Sequence, residues 1–245
     1  MRDVWRHFTA EFIGVFALVF VGGASIMAAQ QSHNPNGLLV AAIAHGLILA
    51  LMVTATMRVS GHLNPAVTIG FLATRRIEPV MAMLYVIAQL LGALVAAYAL
   101  KAVFPPEIAA ATRLGGQSIA LDLSAGQAIL CEFLATFFLT FVVFGTAVDA
   151  RAPKVGGFAI GLAVTADILA IGPLTGGSMN PARSFGPAVV SGVLEAQSIY
   201  WIGPILGSVA AAVLYDQLFL RRGPEPVEFG ALRPARRSSD PKVAS

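Results

Sequence analysis

The chain repeats itself, and each copy holds an odd number of apolar runs. Glu11, Phe12, Phe16, Leu18, Phe20 and Val21 recur as Glu132, Phe133, Phe137, Leu139, Phe141 and Val142 at an offset of 121. Ala44, Gly46 and Leu47 recur as Ala159, Gly161 and Leu162 at 115, and Asn64-Pro65-Ala66 recurs as Asn180-Pro181-Ala182 at 116. Tyr85, Ile87, Leu91 and Gly92 recur as Tyr200, Ile202, Leu206 and Gly207 at 115. The order is preserved, so the 245 residues are a tandem duplication, with repeat one over about 8–104 and repeat two over about 125–221.

Apolar runs lie near 12–29, 38–57 and 80–100 in the first copy and near 128–148, 155–171 and 199–220 in the second. Each is close to the roughly 20 residues that cross a bilayer core. Only 12% of the chain is charged, half of what an ordinary soluble domain carries. After three crossings the second copy must enter the membrane from the opposite face. The expected fold is therefore an all-α membrane protein, an inverted tandem repeat of six transmembrane helices. Residues 1–222 form a single membrane domain, and 223–245, rich in Pro, Arg and Ser, are expected to be a disordered cytoplasmic tail. Glu11 within the first run argues that the run is retained as a span and is not a cleaved signal peptide.

Thirteen of the sixteen Lys and Arg fall on one side of this topology, leaving Lys101, Arg113 and Arg183. The positive-inside rule then predicts both termini in the cytoplasm, and the expected location is a cell (plasma or inner) membrane. This distribution sets topology and does not point to nucleic acid. The one cysteine, Cys131, excludes an intrachain disulfide and a cysteine-rich metal site. No enzyme activity, metal or cofactor is expected.

The paired Asn-Pro-Ala segments carry the functional reading. Pro65 to Ala73 and Pro181 to Val190 are about ten residues each, or ~15 Å of helix, half the hydrocarbon thickness. Asn is a favoured N-cap and Pro suits the first helical position, so each motif starts a re-entrant half-helix. Non-helical backbone at that depth must be buried in protein or line a wet cavity, and inverted repeats bring such segments together at the midplane. Two half-helix N-termini together present about one positive charge, worth ~3 kcal/mol against a cation at ~5 Å and an effective dielectric near 20. The side-chain oxygens of Asn64 and Asn180 are predicted to cap the helices while their NH2 groups face the lumen. Glu11 and Glu132 are intramembrane acids whose symmetric positions suit the acceptance of N–H groups from the re-entrant loops.

Ser60-Gly61-His62-Leu63-Asn64-Pro65-Ala66-Val67-Thr68 and Ser178-Met179-Asn180-Pro181-Ala182-Arg183-Ser184-Phe185-Gly186-Pro187, with Glu11, Glu132 and Gln89, resemble the aquaporin, or major intrinsic protein, family over residues 8–221. The resemblance implies one pore per subunit of a homotetramer. It also implies a selectivity filter of His45, Ile168, Gly177 and Arg183. Placing His45 there needs a one-residue gap in the first loop, which the shift in offset from 115 to 116 supports independently. This ring is similar to that of the plant vacuolar-type aquaporins and their ammonia-permeable relatives.

The implied function is passive conduction of water, and of small neutral solutes such as ammonia or hydrogen peroxide, with protons and ions excluded. A glycerol or urea facilitator is the alternative; Ser184 and Tyr200-Trp201 argue against it. An ion-coupled transporter or a structural junction protein would show, respectively, gradient-dependent uptake or no permeability at all. Gly177 stands where a mercury-sensitive cysteine is common, so mercurials are expected to leave conduction intact. Asp167 departs from the family pattern and, if it faces the lumen, would pair with His45 or Arg183.

Overall fold

Proline at the first helical position and a polar side chain before it set where several helices begin. The computed structural model describes residues 2–153 and 155–220. In chain order the helices are α1 (Arg2–Gln31), α2 (Gly37–Thr56), α3 (Pro65–Ala73), α4 (Pro79–Val103), α5 (Pro106–Ala111), α6 (Ala125–Val143), α7 (Phe158–Thr175), α8 (Pro181–Ser191) and α9 (Gln197–Tyr215). Pro65, Pro79, Pro106 and Pro181 open α3, α4, α5 and α8, where their missing N–H costs nothing. Ser124 and Gln127 close a reciprocal capping box at α6. The tail expected over 223–245 lies outside the described residues, as does Lys154.

Among the described residues six helical stretches are long and apolar enough to cross a membrane, and α3 and α8 are not among them. With nine and eleven residues they reach about 14 and 16 Å. The molecule is built for lipid: Leu51, Val80 and Tyr98 point outward at 65%, 64% and 60% exposure, whereas Glu11, Gln89, Glu132 and Thr136 are fully buried. It is an integral membrane protein with six spans.

Helix contacts obey the repeat. α1 packs on α4 as α6 packs on α9, and α2 meets α7 between the two halves. Gly46 and Gly161, equivalent positions, face each other there: a Cβ on either would strike the other's carbonyl oxygen. Gly92 and Gly207, also equivalent, sit against the carbonyls of Phe12 and Phe133. Small residues allow this close backbone approach, and in lipid such packing supplies much of the association energy. Leu18, Leu139, Val164 and Ile168 belong to the largest buried apolar cluster, which spans the junction of the halves.

Candidate functional site

The two re-entrant loops converge because each is held by a buried acid on its own repeat's first helix. Glu11 Oε1 accepts from the Ser60 hydroxyl and the His62 N–H (2.9 Å), and Oε2 accepts from the Leu63 N–H and Gln89 Nε2 (both 2.7 Å). Glu132 Oε1 accepts from Thr175 Oγ1 (2.7 Å) and the Ser178 N–H (2.9 Å), and Oε2 accepts from the Met179 N–H (2.7 Å). Ser60 and Thr175 are 115 apart, His62 and Ser178 116 apart. The extra residue therefore lies at Gly176-Gly177, where both glycines adopt left-handed φ of +77° and +56°, a conformation that costs glycine no steric penalty.

Leu63 and Met179 are also left-handed, at φ 48° and 54°, and almost completely buried. Such a conformation costs a side-chain-bearing residue roughly 1–3 kcal/mol unless its surroundings over-determine it. Here they do. Each N–H goes to the carboxylate on its own side. Each carbonyl accepts from the opposite motif: Asn64 Nδ2 donates to Met179 O, and Asn180 Nδ2 to Leu63 O, both at 2.8 Å.

The Asn oxygens behave as N-caps, accepting from the Ala66 N–H (2.8 Å) in α3 and from the Ala182 (3.0 Å) and Arg183 (3.3 Å) N–H groups in α8. The amides differ from the expectation in one respect: one N–H of each NH2 ties the loops crosswise, so only the second is left for a lumen. Pro65, Ala66, Pro181 and Ala182 are buried behind the two asparagines and form the first turns of their half-helices.

A cavity of about 20 Å³ is lined by both asparagines; a water needs roughly 10–15 Å³ on the same measure, so the space holds only one or two waters. His45, Ile168 and Arg183 line it together. Gly177 abuts Ile168, at 3.3 Å from where a Cβ would stand to Ile168 Cα. The repeat relates His45 to Ile160 and Arg183 to Val67, and all four line the cavity. Both polar members thus sit toward one mouth, facing apolar equivalents toward the other. His62 lines the cavity near the other mouth, its ring packed on Phe71 (4.2 Å) and edge-on to Tyr85 (5.1 Å).

Arg183 is 5% exposed, and among the described residues no carboxylate lies within ion-pair distance of it. Gln117, with its amide oxygen turned to the guanidinium, accepts from Nη1 and Nη2. Sequence reasoning missed Gln117. It lies in the connection between the repeats, where no symmetry partner marks it, and the only cue is the glycine pair: Gly176 leaves room for the Gln117 side chain. His45 Nδ1 lies 2.7 Å from Ala41 O, so this nitrogen carries a proton and donates to the carbonyl. Asp167 does not pair with His45 or Arg183. It is buried outside the cavity lining, and its Oδ2 has no hydrogen-bond partner. Its place on α7 turns it away from the Ile160–Val164–Ile168 face.

Comparison with known proteins agrees with this architecture. The profile described as "Major intrinsic protein" matches residues 1–215. Aquaporin TIP4-4 of Zea mays is 42% identical over 227 residues, covering 89% of this chain and 88% of its own. Probable aquaporin TIP3-2 of Arabidopsis thaliana is 37% identical, covering 95% and 90%, and aquaporin-4 of Bos taurus is 38% identical, covering 89% and 68%. The X-ray structure of the aquaglyceroporin from Plasmodium falciparum shares the fold, with a TM-score of 0.77 at 23% identity over 88% of this chain and 96% of that one. On the profile match and these relatives together, the chain belongs to the major intrinsic protein family.

Proposed function

We propose that the protein is a passive water channel, one pore per chain, which conducts down osmotic gradients and excludes protons and ions without covalent chemistry. The observation that carries this reading is the pair of cross-tied asparagines lining a cavity with room for only one or two waters. A water passing Asn64 and Asn180 meets their remaining amide N–H groups as donors. It turns its oxygen to them and cannot relay a proton along the file. The helix N-termini at the asparagines and the Arg183 charge toward one mouth both oppose cations. In this reading His45, Ile168, Gly177 and Arg183 form the filter, with Gln117 holding the arginine in place. Glu11 and Glu132 anchor the loops. The apolar Ile168 wall leaves a route for ammonia or hydrogen peroxide. The channel is proposed to assemble as a homotetramer in a cell membrane with both termini cytoplasmic.

The small volume of the cavity favours water over glycerol or urea. Stopped-flow light scattering on proteoliposomes decides between them: rapid shrinkage in sorbitol without fast re-swelling in glycerol is expected, and fast re-swelling would assign a glycerol facilitator. Arg183→Val should admit cations or larger solutes; unchanged selectivity would remove Arg183 from the filter. Cys131 lies on α6 outside the cavity lining, so low mercury should leave conduction intact.

A further inference from the structure

The two cations that the charge distribution leaves on the Arg183 side, apart from Arg183 itself, are Lys101 and Arg113. They are twelve positions apart and on different elements, yet both line one cavity of about 460 Å³. Lys101 stands in the last turn of α4, and Arg113 in the short turn Arg113–Gly115 that follows α5. The remaining wall is almost entirely apolar, with Ala109, Ala110, Leu114, Val190 and Val193. Neither cation makes a salt bridge among the described residues. The residues Val190 to Val193 come at the end of α8, eleven residues from its start between the loops. The cavity therefore lies about 16 Å from the midplane, at the boundary between acyl chains and headgroups.

Two further observations give the cavity its ligand. Val80, Met83, Ile87, Leu91, Val95 and Tyr98 form one exposed apolar stripe down α4, and Lys101 continues the same face. A hydrocarbon chain lying along that stripe ends at the cavity. Arg113, Leu114 and Gly115 are three successive left-handed residues, at φ 50°, 57° and 74°. The first two carry side chains, which disfavour this conformation, and Leu114, 2% exposed against Met27 and Leu100, pins the turn. The turn is thus held in a conformation that keeps Arg113 in the wall of the cavity that Lys101 also lines. The C-terminal ends of α4 and α8 contribute about half a negative charge each, so two cations leave a net of about one positive charge. That matches a single phosphodiester.

We propose that this cavity binds one monoanionic phospholipid of the leaflet on the Arg183 side, its phosphate between Lys101 and Arg113 and an acyl chain along α4. The inference rests on the six-span reading and is independent of what the pore conducts.

Native mass spectrometry of the delipidated full-length protein, re-exposed to equal mole fractions of phosphatidylglycerol and phosphatidylcholine, tests it. One net charge near the surface corresponds to about a five-fold preference. The wild type should retain phosphatidylglycerol about five-fold over phosphatidylcholine at one molecule per chain. Lys101→Gln/Arg113→Gln should bring the ratio near one, while Arg58→Gln/Arg75→Gln, which removes the same charge from the opposite face, should keep it. Equal losses in both double variants would reduce the effect to general charge attraction and overturn the site. Ala110→Phe narrows the cavity without touching charge and reads the seat where the charge variant fails to fold. It should lower retention several-fold, and unchanged retention overturns the proposal. Millimolar inorganic phosphate should not displace the lipid; displacement would assign a free-anion site instead.

Discussion

Asn64 donates through Nδ2 to the carbonyl of Met179 at 2.8 Å, and so belongs structurally to both re-entrant loops. Its side chain caps α3 and braces the opposite loop at once. Asn64→Ala should remove a cap worth about 1 kcal/mol and a buried hydrogen bond worth about 1 kcal/mol. Asn64→Asp keeps the cap acceptor but sets a carboxylate against the Met179 carbonyl. The Asp variant should therefore be destabilised despite its intact cap and should leak protons. Unfolding in detergent and a pH-sensitive dye inside proteoliposomes measure both effects. Wild-type stability and proton tightness in the Asp variant would show the cross-tie to be idle.

Glu132 faces donors only, from Thr175, Ser178 and Met179. A glutamine there keeps one acceptor and turns an NH2 toward the Met179 N–H. One charge-assisted bond is lost, at roughly 1.5–3 kcal/mol, and a second donor is left unpaired. Glu132→Gln should cost about 3 kcal/mol and slow conduction by loosening the left-handed turn at Met179, as read by thermal unfolding and stopped-flow. A proton-coupled role for Glu132 would instead leave stability intact and abolish only gradient-driven flux.

The architecture was legible because it is written twice. Two Asn-Pro-Ala motifs, two buried glutamates and three apolar runs per copy dictate an inverted repeat whatever the side chains between them do. The offset change even points to the glycine inserted beside Thr175. What stayed hidden breaks or crosses the symmetry. Gln117 lies in the unrepeated connection. The left-handed turns at Leu63 and Met179 belong to residue types that rarely adopt them, and become tolerable only through partners from two other segments. The crosswise asparagine bonds join positions more than a hundred residues apart, where spacing says nothing of side-chain direction. Asp167 was placed by its neighbour Ile168, yet one position along a helix is a 100° turn, and it faces away from the cavity.

Asp149, in the connection after α6, is held down to about 2 from its ordinary 3.8, first by the Arg151 side chain and then by the Arg151 backbone N–H. Arg151 Nη2 also donates to Phe219 O at 2.7 Å, tying this connection to the end of the last helix. Because the folded-state value is depressed, the stabilisation is present above about pH 4 and is lost as pH falls toward 2. Exposed pairs contribute little energy, so the expected signal is local. Protection of the Arg151 amide against hydrogen exchange, taken as a ratio to an Asp149→Asn variant, should hold steady above pH 4 and approach one near pH 2. A ratio near one at neutral pH would mean that the clamp does not form.

Gly22 is the position on which the His45 ring leans: a Cβ there would fall on the imidazole at Nε2 and Cδ2. The ring is tethered at its other nitrogen to Ala41 O. A methyl at Gly22 therefore cannot be absorbed by a small rotation without breaking that tether or driving the ring into the cavity beside Arg183. Overpacking of this kind usually costs 1–3 kcal/mol. In a cavity with room for only one or two waters, driving the ring inward obstructs the file. Gly22→Ala should fold with a modest loss of stability and lose most of its osmotic water permeability. Gly22→Ala/His45→Ala, which removes the ring that the methyl strikes, should recover water flow and gain permeability to larger solutes. If Gly22→Ala conducts like the wild type, His45 does not line the narrowest point; if the double variant stays closed, the methyl acts through the α1 backbone and not through the histidine.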